Sequence, residues 1–150
     1  LIDVNGLIDA LTSHASAAGV FDSVNSHEPK SVPGFGITYS IWVESIEPAD
    51  SSGLASTSLV VTFNGRIYMP FKQQPEDSID PNMVNALDLL LTAYAGDFTL
   101  GDRIRNVDVR GQEGQKLSSK SGYIEIDRGM FRVFDILIPC IVNDAWTEAP

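Results

Sequence analysis

Between Leu59 and Gly96 the pattern of apolar and polar positions changes period once, and the change separates two elements. Leu59, Val61, Phe63, Ile67 and Met69 share one parity, while Thr62, Asn64, Arg66 and Tyr68 take the other. That alternation predicts a strand buried on one face. A polar, proline-containing loop follows, and then Met83, Leu87, Leu90, Leu91 and Tyr94 recur at helical spacing. Asp80 reads as the N-cap of this helix with Pro81 at its first position. Ile79 is placed to staple against Val84, and Gly96 closes the helix. The Asn64-Gly65 pair is the strongest short-range signal for a two-residue hairpin. A hairpin there would turn Ile67 and Met69 away from the face that holds Val61, whereas a continuous strand keeps all of them in phase. Because the buried face sets register, the pattern predicts an unbroken strand with a bulge or close backbone approach at Gly65.

The same reasoning orders the rest of the chain. Val4, Leu7, Ile8, Leu11 and Ala15 predict a first helix from Asp3 to about Ala17, with Gly19 as its stop. Burying its four larger side chains is worth about 6–12 kcal/mol gross, before entropy is subtracted. Val20–Val24 reads as a short strand. The loop Glu28–Gly36 carries Pro29, Pro33, Gly34 and Gly36 and should be exposed. A long strand is predicted from Ile37 to Ile46, and Pro48–Ser58 is a mobile connection or the tip of a long hairpin. After a turn at Gly96–Asp102, Ile104, Val107 and Val109 mark one strand. Tyr123, Ile124 and Ile126 mark another, and Phe131–Val142 the last, with Asp127–Gly129 turning between the final two. Gly111–Gly122, polar and partly basic, reads as a protruding loop. The fold class expected is α+β, an antiparallel or mixed sheet of about five to six strands with two helices packed on it. Residues 1–150 are expected to form a single domain.

Composition narrows the function. With 43% apolar and 20% charged residues, the chain has the material for a packed core rather than for global disorder. No apolar run reaches bilayer length, so no membrane partner is expected. An initiator Met is expected to have been trimmed or left unnumbered ahead of Leu1. One cysteine allows no internal disulfide, and nothing points to secretion. A net charge of −10 argues against nucleic-acid binding by phosphate neutralisation. The distribution says more. Residues 1–65 hold seven acids (Asp3, Asp9, Asp22, Glu28, Glu44, Glu47, Asp50) against Lys30, a net of −6. Residues 103–132 hold seven bases (Arg103, Arg105, Arg110, Lys116, Lys120, Arg128, Arg132) against Asp108, Glu113, Glu125 and Asp127, a net of +3. Such a split reads either as solvated surface or as one copy's basic segment meeting another copy's acidic one, a head-to-tail contact that builds rings when the rotation closes.

Reactive chemistry is scarce. His14, His27 and Cys140 permit a Cys–His pair in principle, but a small buried thiol and two surface imidazoles are the plainer reading. No histidine pair at ligand spacing and no Cys-x-x-Cys suggests zinc. Asp77 and Asp80 suit a helix N-terminus better than a calcium site. Pro33-Gly34-Phe35-Gly36 lacks phosphate-loop spacing and precedes a strand rather than a helix. No Gly-x-Ser-x-Gly elbow occurs. No catalytic, cofactor-binding or metal-binding residue is therefore assigned. Trp42 reads as core, and Trp146, beside Asp144 and Glu148, as a contact residue.

Three stretches together resemble one family: Asp3-Val4-Asn5-Gly6-Leu7, the Leu59–Met69 strand feeding Asp80-Pro81-Asn82, and Ile141-Val142-Asn143-Asp144-Ala145-Trp146. They look like the tail terminator (tail completion) proteins of long-tailed bacteriophages with noncontractile tails. The resemblance implies an α+β subunit without enzymatic activity or cofactor. Six copies would close into a ring that caps the tail tube, stops its polymerisation and docks the tail on the head-side connector. The partners implied are sister copies, the tail-tube protein and the connector or stopper protein, at the head–tail junction of a virion assembled in the host cytoplasm. DNA would pass through the lumen without sequence-specific binding, with an acidic surplus there repelling phosphates. The charge map and loop positions supply the interface candidates: Arg103, Arg105, Arg110, Lys116, Lys120, Arg128, Arg132, Pro33, Phe35 and Trp146. Three other readings stay open. One is another phage neck or tail ring protein, such as a head-completion protein, stopper or tube subunit. The others are a monomeric ligand- or peptide-binding domain with Trp42 and Tyr39 lining a groove, and a hydrolase using Cys140.

Overall fold

The computed structural model describes residues 1–28, 36–71 and 76–149. Among them the chain runs α1 (Val4–Ala18), β1 (Ser23–Asn25), β2 (Thr38–Pro48), β3 (Ser56–Pro70), a 3-10 turn (Glu76–Ser78), α2 (Ile79–Gly96), β4 (Asn106–Val107), β5 (Ser118–Ile126) and β6 (Gly129–Thr147). The architecture is α+β: a six-stranded mixed sheet with two helices on one face. Strand order is β1-β2-β3-β6-β4, and β5 pairs with β6 on the same edge as β4. Only the β1–β2 pair is parallel; β2, β3, β6 and β5 alternate in direction.

β3 is unbroken through Asn64-Gly65. Leu59, Val61, Phe63, Ile67 and Met69 all enter the core beneath the helices, as the parity predicts. Gly65 pairs regularly with Ile41 and Ile136, so no bulge sits there. The close approach is by a side chain instead of backbone: a Cβ on Gly65 would lie 2.6 Å from the Tyr39 hydroxyl. The irregularities fall elsewhere, at Glu44 between Val43 and Ser45 and between Thr57 and Leu59.

α1 is bounded by local chemistry. The Asp3 carboxylate accepts from the Gly6 N–H at 3.0 Å, and Gly19 in the left-handed region (φ 71°) ends the helix. Leu7, Leu11 and Ala15 are its buried stripe. α2 starts earlier than Asp80: Ser78 holds the N-cap position, so Asp80 and Pro81 are its second and third residues. A proline is tolerated there because the first four helical N–H groups lack intrahelical partners anyway. The predicted staple does not form. Ile79 is buried and Val84 is 49% exposed, because Met83, one turn on, shares the face of Ile79. The stripe is Ile79, Met83, Ala86, Leu90 and Tyr94, with Leu87 and Leu91 half-buried beside it. Gly96 is the last helical residue, and Asp97 (φ −102°) caps the helix.

β1 covers Ser23–Asn25 rather than Val20–Val24, because Phe21 stacks on Tyr39 (centroids 5.3 Å apart) and Asp22 brackets Ile37 through two bonds of 2.7 Å. Pro48–Ser58 is the tip of the β2–β3 hairpin. The stretch predicted as a loop, Gly111–Gly122, is only half a loop. Its second half is β5, and the first is pinned because the buried Asp108 carboxylate accepts from the Gln112 and Glu113 N–H groups at 2.9 Å. Asp127 (φ 47°) and Arg128 (φ 67°) form the two-residue turn between β5 and β6. The fourth predicted strand shrinks to Asn106–Val107; Ile104 and Val107 are buried, Val109 exposed.

Candidate functional site

The sheet has two edges with unpartnered strand, one carrying two acids and the other bordered by four exposed bases. Segment 103–132 contains β4 and β5, which lie along one edge of β6. The acidic residues Glu44 and Glu47 belong to β2, which lies toward the other edge. β1 covers β2 only from Thr38 to Ser40. Among the described residues nothing pairs with the outer side of β2 from Ile41 to Pro48, nor with the outer side of β5.

The basic candidates divide into bound and free groups. Arg105 is a tether: it donates to the Asn143 side chain, to the Ser51 hydroxyl at 2.8 Å and to the Ser58 hydroxyl at 3.3 Å, joining the hairpin tip to β6. Arg132 donates to Asp80 at 3.0 Å and lies 4.6 Å from the Tyr123 ring centroid. These contacts bind the start of α2 to the β5–β6 hairpin. Arg103 reaches the Leu100 carbonyl at 3.2 Å. Arg110, Lys116, Lys120 and Arg128 are exposed, strung along the β4–β5 edge rather than gathered in one patch. Trp146 is 48% exposed near the end of β6, opposite Thr57. At that same end Leu54, on the hairpin tip, is fully exposed. Pro33 and Phe35, with most of the predicted 28–36 loop, lie outside the described residues.

The sheet face away from the helices is more polar than its alternation suggested. Register places Asn25, Ser40, Arg66, Asp135 and Lys120 in one row across five strands. Arg66 donates to Asp135 at 2.5 Å and lies 5.4 Å from the Trp42 ring centroid. Trp42 is thus half-buried on this face, not core beneath the helices. Burial alone would lower the Arg66 pKa, but the hydrogen bond and charge of Asp135 outweigh it and hold the guanidinium above its ordinary value. Arg66 was legible only as a polar position in an alternating strand; its partner sits 69 residues away in the chain. A shallow trough of about 300 Å³ runs over this face past Glu44, Asn64, Lys120 and Asp135.

Among the described residues no reactive constellation accompanies these surfaces. Cys140 is buried in β6, and burial pushes its thiol up to about 12, so the nucleophilic thiolate is inaccessible at neutral pH. His14 bonds Asp97 at 2.7 Å, and this bond, with the Gly101 N–H, draws the Asp97 carboxyl below its ordinary range. Tyr39 and Trp42 take opposite faces, Tyr39 fully buried under the helices, so they line no common groove. Among the described residues no three His, Cys, Asp or Glu side chains are placed to hold a metal, and no helix is long and apolar enough to cross a membrane.

No protein-family model matches the chain, and no curated protein sequence matches it. Among solved structures it is similar to a chain in the virion of a native gene transfer agent particle. That match has 13% identity, a TM-score of 0.47, and covers 90% of this chain and 93% of that one. It is also similar to a chain in an extracellular contractile injection system described as the PVC sheath/tube terminator in the extended state. There the identity is 11%, the TM-score 0.37, and the match covers 98% of this chain and 60% of that one.

Proposed function

We propose that this chain is a structural subunit of a phage-type virion tail, a one-domain terminator whose copies form a ring. The ring caps the tail tube, stops its polymerisation and joins the tail to the head-side connector. The observation that carries this reading is that Glu44 and Glu47 lie on one unpartnered sheet edge and the exposed Arg110, Lys116, Lys120 and Arg128 along the other, in a fold whose thiol is buried. A head-to-tail contact needs two different, complementary surfaces on one subunit, and a closed ring follows if the rotation closes. The sequence resemblance supplies the partners and the location at the head–tail junction. Arg110, Lys116, Lys120 and Arg128 serve the ring contact. Trp146 and the hairpin tip face an axial partner, where an exposed aromatic and a leucine suit a contact core. Arg103, Arg105 and Arg132 contribute by holding those surfaces in place.

Electron microscopy of the purified protein, alone and mixed with its tail-tube subunit, tests the reading. A terminator gives single rings at most by itself and rings seated on the ends of shortened tubes in the mixture. Long tubes grown from this chain alone would assign it to the tube itself, and a monomer under both conditions would favour an isolated binding domain.

A further inference from the structure

We infer that the ring is held by strand addition: the free edge of β5 (Ser118–Ile126) pairs antiparallel with the free edge of β2 (Ile41–Pro48) on the next copy, Lys120 lying opposite Glu47. The inference rests on the ring reading above and specifies its joint.

Direction follows from the topology. Along β2-β3-β6-β5 the strands alternate, and their number is even. A second copy placed beside the first without being flipped therefore presents its β5 antiparallel to β2, and the helix-bearing faces stay on the same side. Length agrees as well: nine residues of β5 meet an eight-residue free stretch of β2.

Register is fixed by which face each side chain takes, since residues directly opposite share a face. Glu47 pairs with Val60, and Lys120 pairs with Asp135. Both therefore belong to the face away from the helices, so the two charges can meet. Setting Glu47 against Lys120 brings Ile46 to Ser121 and Ser45 to Gly122. The extra residue at Glu44 then places Val43 against Tyr123 on the helix side. It also places Trp42 against Ile124 on the other side. Tyr123 is 57% exposed in the single chain, Glu44, Glu47 and Lys120 are exposed, and Trp42 is half-buried. One register thus joins an opposite-charge pair and two apolar pairs, which are the favourable cross-strand combinations. A parallel pairing of these two edges would require one copy to be flipped, setting the helix-bearing faces on opposite sides. The free edges are also long for natural edge strands, which are normally shortened, bulged or charged to prevent pairing. β2 has its bulge and two acids, so it rejects its own kind while accepting the lysine of β5.

Cysteine cross-linking tests the joint, because the only native thiol is buried. Glu47→Cys and Lys120→Cys proteins, both altered at exposed positions, are mixed with tube subunit under the conditions that give wild-type rings, then oxidised. A covalent dimer is expected in the mixture and not in either variant alone. Replacing the second partner by Glu125→Cys should abolish the dimer. Rings that form without the Glu47–Lys120 dimer, or that cross-link through Glu125→Cys instead, would overturn the strand joint and leave the ring reading standing. Absence of rings from the wild-type protein and tube subunit would overturn both.

Discussion

At the residue scale, Gly65 shows how one absent side chain sets the packing of three elements. Its missing Cβ leaves room for the Tyr39 ring, whose hydroxyl meets that of Tyr94 at 3.0 Å, and Tyr94 in turn donates to the Leu11 carbonyl at 2.9 Å. Since Tyr94 spends its proton on Leu11, Tyr39 is the donor to Tyr94, and the relay joins β2, α2 and α1. Burial raises both phenols above their ordinary range, so both remain protonated donors through the physiological range. Gly65→Ala should force the ring aside and cost about 1–3 kcal/mol, the usual range for overpacking, measured by denaturant unfolding. Tyr39→Phe removes one neutral hydrogen bond, worth about 1 kcal/mol, whereas Tyr94→Phe removes two and strands a buried donor, adding about 1–3 kcal/mol. Equal losses would mean that the relay carries no weight. The His14–Asp97 pair gives a pH prediction. Because the folded carboxyl titrates below its ordinary 3.8, its stabilisation is complete above that value and is lost as pH falls through the lowered folded value. Asp97→Asn should therefore flatten the acid limb of the stability profile; an unchanged acid limb would remove Asp97 as a contributor.

At the element scale, what was legible depended on whether local pattern and tertiary placement agreed. β3 and α1 were readable because one buried face dictates every second or every third and fourth residue, and nothing competes with it. The start of α2 was not, because Ser78, Asp80 and Pro81 are each acceptable in a first turn and only the burial of Ile79 chooses among them. β5 begins with Ser118-Ser119-Lys120-Ser121-Gly122, which has no apolar alternation, since an edge strand open to water needs none; pairing with β6 draws it into the sheet. The candidate site was legible as charge and illegible as geometry. The sequence separates acids from bases, but strand order places Glu44 and Glu47 on one edge and the exposed bases along the other, and strand order is written in no periodicity. Nor did it disclose that Arg105 and Arg132 are engaged within the subunit. The β5–β6 turn offers a test at this scale. Two-residue hairpins of this kind need positive φ at both central residues, a requirement that favours glycine at the second. Arg128 at φ 67° bears the cost. Arg128→Gly should stabilise the fold by about 0.5–1 kcal/mol, the left-handed penalty less the entropy of glycine, raising the thermal midpoint. A lowered midpoint would reveal a stabilising contact of the arginine side chain.

At the scale of the whole molecule, the joint proposed between copies divides the work between backbone and charge, and salt separates the two. An exposed pair such as Glu47 with Lys120 contributes about 0–1 kcal/mol, too little to hold a ring. Strand addition supplies a run of hydrogen bonds that does not depend on ionic strength, along with the burial of Trp42, Val43, Tyr123 and Ile124. Charge would then act on encounter and orientation, where an acidic edge approaching a basic one is steered at low salt and slowed as salt rises. Rings formed at low salt should persist near 1 M salt in sedimentation, while the rate of their assembly, followed by light scattering, falls over the same range. The variant Arg110→Glu/Lys116→Glu/Lys120→Glu sharpens the test, because all three side chains are exposed and its own fold should tolerate them. It places an acid opposite Glu47 and two more along the same edge of the sheet, and like charges across an interface cost several kcal/mol at low salt. At about 1 M the screening length falls to about 3 Å, so the repulsion is muted while the strand joint remains. The variant should therefore stay monomeric at low salt and regain rings at high salt. Wild-type rings that dissolve in salt, or a variant that never assembles, would transfer the cohesion from the backbone to the charges.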